Sequence, residues 1–112
     1  MVSETPLPSH VRGEEEFTAK VLAIEFPGYG TTAVRSAPDA TGAVLKCFAI
    51  EIPHAQKDRY IVYRVAGDDH TLLDDFIESE NTPIMNVRQD GEKLLYSNTN
   101  GKVLRERPVL KN

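Results

Sequence analysis

Asp68-Asp69-His70-Thr71-Leu72-Leu73-Asp74-Asp75-Phe76-Ile77-Glu78-Ser79 is the stretch on which the fold class turns. Leu72, Leu73, Phe76 and Ile77 recur at i, i+1, i+4 and i+5, which places them on one apolar stripe of a helix. Asp68 or Asp69 can cap the first turn, and Pro83 forbids continuation. The spacing predicts one short packed helix over residues 69–79. With strands on both sides of it, the domain reads as α+β.

Downstream, residues 84–89 and 92–97 alternate apolar and polar side chains around Asp90-Gly91. Asp-Gly between two alternating runs predicts a hairpin, because a type I′ turn needs positive φ twice. Asn100-Gly101 marks a second turn, and residues 102–107 can add an edge strand before Pro108. Upstream, residues 17–26 are apolar on both parities, with Ala19, Val21 and Ala23 on one side and Leu22, Ile24 and Phe26 on the other. That pattern predicts a central strand covered on both faces, ended by Pro27-Gly28. A weaker strand follows at Thr31–Ser36, then a second strong strand at residues 43–52 and a further strand at residues 59–65. Together these make a mainly antiparallel, meander-like sheet of roughly five to seven strands. Residues 1–12 read as a flexible lead-in and residues 13–112 as a single globular domain.

Charge is unevenly placed. Residues 1–80 carry 14 Asp/Glu against 7 Lys/Arg, and residues 81–112 carry 3 against 6, so −7 and +3 compose the net −4. An acidic body with a basic end favours selective contact with another macromolecule. A pI near 5.3 disfavours general nucleic-acid binding, which draws its affinity from Lys and Arg on phosphates. Cys47 is the only cysteine, so no intrachain disulfide forms, which favours a reducing, cytoplasmic setting. No apolar run is long enough to cross a membrane, and the N-terminus lacks the basic and apolar regions of a signal peptide.

Candidate chemical groups are few. His70 and Asp74 at i, i+4 share a helix face and a metal-compatible spacing, but carboxylates at a helix start cap orphan amides without a metal, and no further ligand completes a site. No metal and no cofactor is therefore expected. His54, Lys57, Asp58 and Arg59, with Tyr60, Tyr63 and Tyr96, are residue types that small ribonucleases use for acid–base work and phosphate charge. Arg59 to Arg64 interleaves basic and aromatic residues as some RNA-binding sheets do, although one face of that strand has to feed the core. Cys47, among alternating apolar residues, reads as a buried small hydrophobe. Tyr29, between Gly28 and Gly30, is placed to expose its ring as a contact anchor.

Residues 72–79, then Pro83-Ile84-Met85-Asn86-Val87, then Asp90-Gly91-Glu92-Lys93-Leu94-Leu95-Tyr96-Ser97-Asn98 resemble the opening of a PAS sensory domain. There a short helix leads to a strand, an Asp-Gly turn and a second strand ending in Asn. The resemblance implies a small-ligand sensor with a pocket between helix and sheet.

The leading expectation is a small acidic, non-enzymatic protein-binding module of the inhibitor, immunity or adaptor type. It would dock a basic protein surface through Glu14, Glu15, Glu16, Asp68, Asp69, Asp74 and Asp75, with Tyr29 as anchor. A ligand sensor and a nuclease using residues 54–63 are the alternatives.

Overall fold

The computed structural model describes residues 7–23, 30–39 and 41–111. They form a mostly β structure with a short helical segment near the N-terminus. The elements are β1 (His10–Arg12), α1 (Glu14–Phe17) followed by a π-helical turn (Thr18–Leu22), then β2 (Thr31–Ser36), β3 (Val44–Ile52), β4 (Lys57–Ala66), β5 (Asp69–Ser79), β6 (Asn86–Asp90), β7 (Lys93–Ser97) and β8 (Val103–Pro108). The eight described strands make one curled sheet of order β1-β5-β4-β3-β2-β6-β7-β8, a half-barrel.

The helix expected over residues 69–79 is instead β5, paired with β4 from end to end. The apolar stripe that imitates a helix comes from a β-bulge. Val62 pairs with Asp74 while Tyr63 pairs with Leu72, so Leu73 is the extra residue and the side-chain parity flips there. Leu72 and Leu73 are thus both buried, on opposite faces of the sheet. A local signal for the strand is Gly67-Asp68, a two-residue loop closed by the Ala66–Asp69 pair with Gly67 at φ 61°.

The strand expected at residues 17–26 is also corrected. Residues 17–22 are helical, and residues 24–26 lie outside the described part. Three acidic residues in the first turn favour the helix start, Glu16 pairs with Lys20 at i+4, and Phe17 and Val21 bury one face. Residues 10–12, placed in the lead-in by sequence, form the edge strand β1, whose Val11 is buried.

The sheet is mixed, which departs from the antiparallel expectation. β2 to β5 form an antiparallel meander, as do β6 to β8, but β6 joins β2 in parallel through Arg35–Asn86 and Ser36–Val87. The Asp90-Gly91 hairpin forms one residue later than expected: Asp90 pairs with Lys93, and only Gly91 takes positive φ.

Two cores result. The inner face buries Cys47, Tyr60, Val62, Leu73 and Phe76 against Ile84, Val87, Leu94 and Tyr96 of the folded-over β6–β8 layer. The outer face of β3–β5 buries Ile50, Ile61, Tyr63 and Leu72 beneath Leu7, Val11, Phe17 and Val21. Both cores follow from strands apolar on both parities, which need cover on each side.

Candidate functional site

The bulge positions the first polar cluster. It turns Asp74 inward, where its carboxylate is fully buried. Tyr96 Oη–H donates to Asp74 Oδ2 at 2.7 Å, Arg107 Nε–H donates to the same oxygen at 2.8 Å, and the Asp75 N–H donates to Oδ1 at 2.9 Å. Arg107 also lies 4.3 Å over the Phe76 ring, which stacks on Tyr60. One turn of the pleat along, Arg105 Nε–H donates to Glu78 Oε2 at 2.7 Å, and the Ser79 N–H donates to Glu78 Oε1. The Leu110 N–H reaches the Leu73 carbonyl at 2.8 Å. β5 and β8 are therefore joined by carboxylates that accept from β8 arginines and β5 amides, where a closed barrel would have a backbone ladder. Burial, and then the Asp74 charge, push the Tyr96 phenol well up, and the hydrogen bond to Asp74 raises Arg107. A buried carboxylate with these donors is satisfied, and the cluster holds the half-barrel closed.

The second cluster ties the N-terminal segment to the sheet. His70 is buried, with Nδ1 3.0 Å from the Asp68 carbonyl, which can only accept, so the proton sits on Nδ1. Nε2 faces Lys46 Nζ at 3.3 Å, and Phe17 stacks on the imidazole at 4.6 Å. Lys46 pairs with Glu14 and lies 4.5 Å over the Phe17 ring. The Lys46 hydrogen bond lowers the Glu14 carboxyl. These contacts clamp α1 onto β3 and β5.

The sequence-derived docking residues are thereby placed. Glu14 is engaged by Lys46, Glu16 by Lys20, Asp69 by His10 and Arg12, and Asp75 by Arg59. Asp74 is withdrawn into the core. Glu15 and Asp68 are exposed, with no ion pair among the described residues. Tyr29 lies outside the described residues. His70 and Asp74 do not share a face, because the bulge between them reverses the parity, and no described group of three or more His, Cys, Asp or Glu side chains is gathered to hold a metal.

The nuclease-type residues do not converge. His54 sits exposed in the β3–β4 turn at φ 63°. Tyr60 is buried on the inner face, its phenol pushed up to about 12 by burial, while Tyr63 is buried on the outer face and donates to the Pro8 carbonyl. Arg59 is held by Asp75 at 2.7 Å. Cys47 is buried as expected, and burial raises its thiol. The helix required by the sensor reading is β5, so a pocket between that helix and the sheet has no structural basis.

What sequence reasoning missed is a groove at the parallel β2–β6 junction. A cleft of about 330 Å3 is lined by Arg35, Ser36, Asn86, Arg88 and Ser97. Val34 and Val87 point inward, so their neighbours Arg35 and Arg88 point outward, on one face. A second cleft of about 200 Å3 continues past Arg88 to Gln89, Pro38 and Asp39. It meets a third, of about 430 Å3, at the open end of the half-barrel, where Arg64 pairs with Asp39. Thr41 foremost, then Arg64, hold the Asp39 carboxyl down at about 2. The Gln89 Oε1 beneath these clefts is buried without a partner.

Charge accounting singles the junction out. Arg12, Arg59, Arg64, Arg105 and Arg107 each contact a carboxylate within 3.3 Å. Arg35 and Arg88 have no acidic partner among the described residues, and they face the same cleft. The only sequence signal for this would have been the parallel pairing itself, a contact across some fifty residues that no local pattern encodes. No family model, curated protein or solved structure matches the chain. No described helix is long and apolar enough to cross a membrane.

Proposed function

We propose that the chain is a small non-enzymatic protein-binding module that docks an acidic segment of its partner at the β2–β6 junction. One observation carries the reading: in an acidic chain whose other arginines are paired within the fold, Arg35 and Arg88 are left together on an open cleft. Like charges held side by side oppose folding unless something else uses them. A complementary partner relieves that repulsion, and the charges speed and orient the encounter. The sign of the docking charge is thus the reverse of what composition implies, since the acidic body spends most of its named carboxylates on its own basic residues. The cytoplasmic setting inferred from cysteine usage belongs to the same reading.

The test compares two charge reversals in capture from host lysate, at low and high salt. R35E/R88E is expected to abolish a salt-sensitive stoichiometric partner, while E15K/D68K retains it. Capture lost only in E15K/D68K would restore the basic-partner reading. A captured protein indifferent to both pairs, and to salt, would sink docking by charge altogether.

A further inference from the structure

Resting on that same surface, we infer that the Arg35–Arg88 cleft is a phosphoryl-binding site, taking a phosphate monoester carried on a partner polypeptide. Arg35 stands opposite Asn86 in the parallel pair, and Arg88 lies two residues further along the same face of β6. Strand spacing and rise place the two Cα atoms roughly 8 Å apart on the diagonal, so both guanidinium forks reach one tetrahedral group between them. Ser97 adds a hydroxyl from β7, and the Asn86 amide, held to the Asn98 carbonyl by a 3.4 Å contact, adds N–H donors at the same wall.

Two features favour a phosphoryl dianion over a carboxylate. The cleft presents two unneutralised cations, which one carboxylate would leave half-paired, and its donors come from three strands, which suits a tetrahedral acceptor more than a planar one. A phosphate monoester carries close to two charges at neutral pH and several strong acceptor oxygens. A nucleic acid fits less well. Its successive phosphates would extend past the cleft toward Asp39 and over the rest of a chain with net charge −4. A single phosphoryl group meets only the local arginines.

The experiment is a titration of the intact protein, followed by backbone amide NMR, with inorganic phosphate, phenyl phosphate, acetate and a single-stranded oligonucleotide. Saturable shifts are expected for residues 35–37, 86–88 and 97 with both phosphates. R35Q or R88Q should weaken binding at least about tenfold, the loss of one charge-assisted pair. Affinity should rise between pH 5 and 7.5 as the second phosphate proton leaves, a dependence acetate does not share above its own range. Absence of saturable shifts at millimolar phosphate, or acetate binding as tightly as phosphate, overturns the site. An oligonucleotide binding more tightly than phenyl phosphate overturns it in favour of nucleic acid. The two readings separate cleanly: lysate capture that depends on Arg35 and Arg88 while phosphate does not bind removes only the phosphoryl inference. Phosphate binding with capture indifferent to both arginines removes the protein-docking reading, and with it the polypeptide carrier, and leaves the phosphoryl site.

Discussion

Two pairs of arginines, one at the β5–β8 seam and one at the β2–β6 junction, meet opposite fates. Arg105 and Arg107 extend from β8 onto Glu78 and Asp74, and the carboxylates pass the contact on to β5 backbone amides. Arg35 and Arg88 extend into a solvent cleft with no acidic group against them among the described residues. The first pair is consumed by the fold; the second is left over from it. Of the charge segregation along the chain, acidic before residue 80 and basic after it, Arg105–Glu78 and Arg107–Asp74 are the described ion pairs that cross the divide. What that pairing leaves among the described arginines is Arg35 and Arg88, together on one cleft.

The largest effect expected from this contrast is at Arg107. Arg107→Ala leaves the Asp74 carboxylate buried with only the Tyr96 hydroxyl and one amide, and should cost about 3–5 kcal/mol in a denaturant titration. A cost below 1 kcal/mol would break the view that the seam holds the half-barrel closed. Tyr96→Phe removes the other donor to the same oxygen and should cost about 1–3 kcal/mol. Combined with Arg107→Ala it should be non-additive, because both side chains serve one carboxylate.

Arg105→Ala sharpens the comparison within the seam. Its side chain is 46% exposed and its partner mostly buried, so the loss should be about 1 kcal/mol or less, and it should shrink with added salt. A larger cost than that of Arg107→Ala would move the weight of the seam to its solvent side.

Acid titration addresses the open end of the half-barrel. The Thr41 hydroxyl first, and then Arg64, hold the Asp39 carboxyl down at about 2, below the ordinary 3.8 of an aspartate. A depressed carboxyl contributes stability that is present above the unfolded value and is lost as pH falls toward the folded one. Unfolding midpoints should therefore decline between pH 4 and pH 2 by more in the parent than in Asp39→Asn. Equal declines would show that Asp39 is not tied to the fold.

The smallest change in stability belongs to the junction. R35Q and R88Q should each shift the unfolding free energy by no more than about 0.5 kcal/mol, with a gain more natural than a loss, since a like-charge repulsion is relieved. If either costs more than about 1 kcal/mol, the arginine is structural and the contrast between the two pairs disappears.

Much of the β architecture was legible from local chemistry. Apolar runs and the Pro, Gly or Asn-Gly punctuation that bounds them located β2 outright and β3, β4, β6, β7 and β8 to within a residue or two. Cys47 was legible as a core residue for the same reason. Local pattern failed at β5, where one inserted residue makes Leu72-Leu73 and Phe76-Ile77 look like a helical stripe, although Ile77 is 56% exposed and faces solvent. It failed again at residues 17–22, where Glu16–Lys20 and Phe17–Val21 carried an i, i+4 signal masked by apolar residues on both parities. The candidate site was not legible, since Arg35 and Arg88 mean nothing separately.

The sequence by itself determined that a small domain with a β-rich core would form, where most of its strands and turns lie, and that its charges are divided between two parts of the chain. Those are consequences of side-chain period, turn chemistry and composition, each readable within a window of a few residues. Only the tertiary structure decided which charges cancel. Curling the sheet brings β8 across to β5 and lays β6 beside β2, and pairing depends on distance in space, to which separation along the chain is blind. Asp74 and Arg107 become partners across that curl, and Arg35 and Arg88 become neighbours with a cleft between them.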